Sequence, residues 1–255
     1  MSLKFNCVAS GSSGNCYFLE NASNVIFVDV GVPFKRISEC VDISQFDGKQ
    51  IHLFITHEHH DHIAGIKPFI NKFAPKVYAS EGTTHAISSK GIDTAPFLIL
   101  ECGCEYELDG FSAIPFNISH DSAEPFGYRF SFGEKIVTFA TDFGTSTKDL
   151  EYFLCCSDLL VLESNYEQEM LDKGPYPKYL QARISSHKGH LSNRDALKVV
   201  GSICDTGIRR IFLAHVSDEN NDYELLNKYA DFCSTNYKIP TEVIHRDSPV
   251  TDIDI

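Results

Sequence analysis

Apolar positions along this chain follow two alternating rhythms. Short β-branched or aromatic runs at Lys4–Ala9, Cys16–Glu20, Val25–Val30, Ile51–Thr56 and Lys76–Ala79 predict strands. Longer patterns of helical period occur at Ile63–Phe73 and Gly82–Ser89, and Pro33 opens a helix reaching Val41. A β-rich middle follows at Phe97–Glu101, Glu105–Leu108, Phe111–Asn117, Gly127–Ser131 and Lys135–Ala140. The last third places strands at Leu159–Glu163 and Arg210–Ala214. Its helices are predicted at Pro177–Ile184, Ser192–Cys204 and Tyr223–Tyr237. That order argues for an α/β fold. No repeat, low-complexity tract or linker interrupts residues 1–255, so one domain is expected.

Composition changes this picture little: 43% hydrophobic and 22% charged residues suit a globular chain. No run of about 18 apolar residues is present, which excludes a membrane-spanning helix. The first residues show no secretory leader. The nine cysteines are therefore expected to be reduced thiols in a cytoplasmic protein. Cys102 and Cys104 form a CxC without a second pair, and Cys155 and Cys156 are expected in the core. The net charge of −13 argues against extensive nonspecific gripping of nucleic acid. A phosphodiester substrate stays open, because bound divalent cations reverse the local sign at an acidic site.

The chemistry concentrates at residues 56–62, Thr-His-Glu-His-His-Asp-His. Within it His57, His59, Asp61 and His62 place four metal-competent side chains directly after an apolar strand. Imidazole and carboxylate are ligands for zinc, iron and manganese. In an extended turn His57 and His59 point the same way and can share one ion, while Asp61 and His62 can face a second. Glu58, between them, is expected to point to solvent.

This H-x-H-x-D-H segment resembles the signature of the metallo-β-lactamase fold superfamily, whose members are four-layer αββα sandwiches. The resemblance implies three further ligands at strand ends: His120 after Phe111–Asn117, Asp142 after Lys135–Ala140, and His215 after Arg210–Ala214. His57, His59 and His120 would hold one ion; Asp61, His62 and His215 the other; Asp142 would bridge. Histidine at 59 and aspartate at 142 depart from the oxygen-reductase and β-lactamase subclasses, and favour a hydrolase.

Glu163 and His190, the latter in Gly189-His190-Leu191-Ser192-Asn193, resemble the pair in ribonuclease Z-type nucleases. There a strand-end Glu orients a His that protonates the leaving oxygen, an acid that phosphodiester cleavage needs. Ser192, with Asp195 three residues on, is a capping-box variant that opens a helix. Its free amides suit an anion beside His190. Arg183, His187, Lys188 and Arg194 add a local basic cluster.

The segments ASGSSGNCY, THEHHDH, ISHDSAEPFGY, ATDFG, LESNYEQEML, GPYPKYLQARI, GHLSN and LAHVSDENN together resemble the YycJ/WalJ family nearly end to end. That resemblance implies a DNA exonuclease acting 5′ to 3′ and linked to DNA repair. Two divalent ions (Zn, Mn, Fe or Ni) would activate a water bridging them, Asp61 would orient it, and His190 would act as the acid. Ser12, Ser13, Asn15, Ser192 and Asn221 are candidate substrate contacts. The alternative is a small-molecule hydrolase on the same fold: a cyclic phosphodiesterase, lactonase or thioesterase.

Overall fold

The structure is a computed structural model that describes residues 2–246 and 248–255. The chain divides into two compact units. One gathers the residues up to Cys104 with Ser122–Phe126 and the stretch from Arg246; the other holds Glu105–Asp121 and Gly127–His245.

The first sheet begins with β1 (Lys4–Ala9), β2 (Cys16–Glu20) and β3 (Asn24–Val28), which pair antiparallel. Asn21 makes the β2–β3 turn tight, its Oδ1 accepting the Ser23 and Asn24 amides at 2.8 Å each. From β3 onward the pairing is parallel, through β4 (Gln50–Phe54), β5 (Lys76–Ala79) and β6 (Leu98–Ile99). Parallel neighbours need long crossovers. Helices Phe34–Cys40, Ile66–Phe73 and Glu81–Ser89 supply them.

The second sheet repeats this plan with β7 (Tyr106–Glu107), β8 (Ser112–Asn117), β9 (Phe126–Phe132), β10 (Lys135–Ala140), β11 (Leu159–Glu163), β12 (Ile211–Ala214) and β13 (Thr241–Val243). Its early pairs are antiparallel, and β10 to β13 run parallel. The chain closes with β14 (Val250–Asp254), which returns to pair antiparallel with β1.

Each unit buries its own core. In the first, Phe18, Phe27, Phe46 and Phe69 make edge and stacked ring contacts. In the second, Ala196, Val199, Val200 and Ile203 line one face of helix Asn193–Ile203 and pack with Leu160, Leu162 and Leu213 of β11 and β12. No helix among the described residues is long and apolar enough to cross a membrane.

The principal elements lie where the patterns place them, with instructive departures. The expected helix Ile63–Phe73 is two helices, His60–Ile63 and Ile66–Phe73. Gly65 breaks it, with its amide on the Val30 carbonyl at 2.8 Å and a position where any Cβ would lie 2.1 Å from the Val32 carbonyl oxygen. The last predicted helix ends at Phe232 and continues as a π turn over Cys233–Tyr237. Helices Lys148–Leu154 and Gln168–Lys173 and strands β13 and β14 were not legible in the pattern. Cys156, expected in the core, is exposed at φ 58°, and Cys155 is half-buried.

The parallel halves matter for chemistry, because neighbouring parallel strands end on one edge. In the second unit Ala140 pairs with Leu162, and Glu163 with Ala214. Asp142, Glu163 and His215 therefore emerge together. In the first unit Val28 pairs with Phe54, so Asp29 and Thr56 emerge side by side.

Candidate metal centre

In the first unit, the candidate ligands His57, His59, Asp61 and His62 follow β4. The His57 Nε2 and His59 Nδ1 lie 3.1 Å apart, so both rings present nitrogen to one point. His62 Nε2 is 3.5 Å from an Asp61 carboxylate oxygen. His57 and His62 are completely buried, with centroids 4.1 Å apart.

Asp29, a residue the sequence reading passed over, fixes this cluster. Its Oδ1 accepts the Thr56 amide at 2.8 Å; its Oδ2 accepts the Thr56 hydroxyl and His62 Nδ1, each at 2.7 Å. The Thr56 hydroxyl oxygen in turn lies 3.0 Å from His57 Nδ1. With Nδ1 protonated and held, His62 keeps its lone pair on Nε2, which accepts from the Asn15 amide at 3.1 Å. Burial pushes the Asp29 carboxyl above its ordinary value, opposed by the charge and hydrogen bond of His62. Asp29 was signalled in the sequence as the one acid in the apolar run Val25–Val32.

Glycine is required where the backbone crosses this cluster. A Cβ on Gly31 would lie 1.6 Å from the Asp61 carbonyl oxygen and 2.8 Å from the Asn15 nitrogen. Gly31→Ala is expected to lower stability by about 1–3 kcal/mol through overpacking. Thermal unfolding together with metal content checks it; an unchanged melting temperature would contradict the packing described.

In the second unit Asp142, Glu163, His190 and His215 offer ligand-type atoms all within 4.8 Å of one another. Asp142 Oδ1 lies 3.4 Å from His215 Nε2 and 4.0 Å from His120 Nε2. His120 donates Nδ1–H to the Gly189 carbonyl at 3.1 Å, which leaves Nε2 as its lone-pair nitrogen. Asp142 and His215 have φ of 62° and 55°, and Asp29 has 60°. Such left-handed backbone is uncommon outside glycine and costs of order 1–3 kcal/mol per residue. These three lie just past the ends of β3, β10 and β12.

Glu163 uses both oxygens. Oε1 accepts from His190 Nδ1 at 2.7 Å and from His215 Nδ1 at 3.1 Å. Oε2 accepts the Phe143 amide at 2.8 Å and the Leu191 amide at 3.2 Å. Burial alone would raise its carboxyl, but the charge and hydrogen bond of His190, with that of His215, hold it below its ordinary value. Both carboxylate oxygens are thus engaged, one by two imidazoles and the other by two backbone amides. Among the site histidines of this unit His190 is the partly exposed one, its side chain 21% accessible against 1% for His215 and 2% for His120. Asn165, also unforeseen, donates from its amide to the His215 carbonyl at 2.7 Å.

The donor set fits divalent ions. His62, His120 and His215 each have Nδ1 fixed by a carboxylate or carbonyl; His120 and His215 keep Nε2 for a ligand, and an ion at His62 would take the Nε2 lone pair now shared with the Asn15 side-chain amide.

The candidate substrate contacts fall into two groups. Ser12 and Ser13 are exposed on the loop between β1 and β2. Asn15 is buried; its carboxamide holds the Gly11 amide and carbonyl and reaches His62. Ser192 caps helix Asn193–Ile203, accepting the Asp195 amide at 3.1 Å. Asn221 is locked behind the end of β11, donating to the Ser164 and Asn165 carbonyls at 3.1 and 2.8 Å. Of the basic cluster, Arg183 pairs with Asp121, and His187, Lys188 and Arg194 are exposed. Glu58 accepts the Ala123 amide at 2.9 Å instead of pointing only to solvent.

Comparison with known proteins gives one family match, to the β-lactamase superfamily domain, over residues 43–216. The exodeoxyribonuclease WalJ of Streptococcus pneumoniae serotype 2 is 32% identical over 227 residues, covering 87% of this chain and 84% of that protein. The exodeoxyribonuclease YycJ of Bacillus anthracis is 31% identical over 228 residues, covering 88% and 86%. Among solved structures, the metallo-β-lactamase fold protein YhfI from Bacillus subtilis superimposes with a TM-score of 0.73 at 15% identity, covering 98% of this chain and all of that one. At that identity the likeness shows the fold, and it is the α/β metallo-β-lactamase fold that the motifs imply.

Proposed function

Because this chain belongs to the β-lactamase superfamily, and within it to the WalJ/YycJ family, we propose that it is a dinuclear metal-dependent exonuclease that cleaves DNA phosphodiester bonds. Residues 1–255 are read as one hydrolase domain. His57, His59 and His120 would hold one divalent ion, Asp61, His62 and His215 the second, and Asp142 would serve both. Zinc, manganese, iron and nickel all suit imidazole and carboxylate donors. Bound there, the ions would acidify water and polarise phosphoryl oxygens.

The chain's own residues supply the rest. Asp61 orients the attacking water. His190, aligned by Glu163 through Nδ1, donates the Nε2 proton to the departing sugar oxygen, which would otherwise leave as a poor alkoxide. The amides that open the helix after Ser192 are spent within the fold, Asn193 on the Tyr166 carbonyl at 2.9 Å and Asp195 on the Ser192 hydroxyl at 3.1 Å, so the expected anion contact there drops out of the proposal. The observation that carries this reading is the 2.7 Å contact between Glu163 and the partly exposed His190, 3.7 Å from Asp142. A histidine acid, held by a strand-end carboxylate beside a ligand set, is what a poor leaving group demands. The 5′-to-3′ direction and a place in DNA repair follow from the sequence resemblance, and a cytoplasmic setting from the reduced state expected of the cysteines; all three form part of the proposal.

The net charge of −13 favours the second reading, a small-molecule hydrolase. Linear duplex DNA with a labelled 5′ end separates the two. Label release with Mn²⁺ or Zn²⁺, abolished by chelation, is the expected result. Hydrolysis of bis-p-nitrophenyl phosphate without any release from DNA would move the assignment to the small-molecule class.

A further inference from the structure

We propose that a basic cavity beside the β1–β2 loop is a subsite for a backbone phosphate of the DNA strand, next to the one being cleaved; the inference rests on the nuclease reading above. The cavity measures about 410 Å³ and is lined by Ser13, Val32, Lys35, Arg36, Glu39 and Arg246. The chain as a whole has 35 acidic and 22 basic side chains, and this lining reverses that balance with three cations to one carboxylate. The carboxylate, Glu39, faces Lys35 at 3.5 Å, and both side chains are mostly exposed. Such a surface pair is weak and easily exchanged for a stronger anion.

Arg36 is the anchor. Its guanidinium makes one hydrogen bond, to the Arg246 carbonyl at 3.4 Å, and it has no carboxylate partner among the described residues. Its Nε is buried without a hydrogen-bond partner among the described residues. A buried donor left unmade is costly, and a planar guanidinium matches the paired oxygens of a phosphate. The exposed Ser13 hydroxyl adds a neutral donor from the loop side.

The cavity is tied by backbone to the proposed metal ligands. The Asn15 amide donates to the Asp61 carbonyl at 2.7 Å, and the Gly31 amide to the Asn15 carbonyl at 2.7 Å. The wall residue Val32 follows Gly31 directly, and Ser13 stands two residues, at most roughly 7 Å of chain, before Asn15. A strand reacting at Asp61 would thus lay an adjacent phosphate into the cavity. The exposed cysteines, the cavity beside Gly144 and the isolated exposed Tyr152 and Tyr179 offer no comparable convergence of cationic side chains.

The test is steady-state cleavage of a labelled single-stranded oligonucleotide by metal-loaded protein between 50 and 200 mM NaCl, with bis-p-nitrophenyl phosphate measured on the same preparations. Arg36→Gln and the exposed Lys35→Gln are each expected to raise KM for the oligonucleotide about tenfold, far more than they lower kcat. Each should also flatten the dependence of log KM on log salt by about 0.7, the share of one single-strand phosphate contact. Arg36→Lys should recover part of the affinity. The inference is overturned if both Gln variants keep the wild-type KM and salt slope, or if they lose oligonucleotide and small-ester turnover equally. It is also overturned if only inhibition by inorganic phosphate or a 5′-mononucleotide weakens, which would mark a product site. A wild type that hydrolyses the small ester but never cuts the oligonucleotide defeats the nuclease reading itself, whereas an active wild type with unresponsive variants defeats this inference alone.

Discussion

Alanine at His190 is expected to slow DNA hydrolysis about 10²–10⁴-fold without loss of bound metal, the range expected when a general acid is removed. The structural reason is the division of labour around Glu163. Its Oε1 holds both His190 and His215 through their Nδ1 atoms, and its Oε2 is spent on two backbone amides. His190 is thus aimed by the carboxylate, and its Nε2 remains for a proton. The loss should shrink on a substrate with a good leaving group, since p-nitrophenolate departs without a proton. Metal analysis of the purified variant decides the role: ion content falling with activity would make His190 a ligand and remove the acid from the mechanism.

Asp29→Asn is the second large effect, expected to weaken binding at the His62 ion about 10–100-fold, the usual cost of losing an orienting partner behind a ligand. Asparagine tolerates the left-handed backbone at this position, so the φ of 60° introduces no new strain. The change is electronic. Asp29 is acceptor-only and takes the Thr56 amide, the Thr56 hydroxyl and His62 Nδ1–H together. An amide must turn its NH₂ toward one of these donors, and His62 escapes the clash by moving its proton to Nε2, where it takes up the metal-facing lone pair. Competitive chelation titration would read the affinity loss, with thermal unfolding as the check on folding. Wild-type affinity in Asp29→Asn would show that His62 needs no such partner.

The two variants act on opposite sides of the same design, one on a group that moves a proton and one on a group that keeps a proton in place. They also differ in how visible their targets were. His190 stood in a short polar segment after a gap in the helical pattern, and its pairing with Glu163 is legible through resemblance. Asp29 looked like the end of a strand, because its partners Thr56 and His62 are 27 and 33 residues away. Nothing local reports such a contact.

The same distinction runs through the whole protein. By itself the sequence determined the strands with strong apolar runs, such as Lys4–Ala9 and Leu159–Glu163, and the H-x-H-x-D-H turn, because their signals are local in spacing and residue type. Short elements without a proline to mark their start stayed hidden: helices Gln168–Lys173 and Lys148–Leu154 carry too few periods, whereas Pro33 and Pro177 announce helices just as short, and β14 is a strand only because β1 lies beside it. Tertiary structure alone decided which strands run parallel. That choice carries Asp142, Glu163 and His215 to one sheet edge and Asp29 to Thr56. It decided the left-handed backbone at Asp29, Asp142 and His215, which packing sustains against local preference. It also decided the tautomers, since which imidazole nitrogen keeps its lone pair is set by an acceptor supplied from elsewhere in the chain.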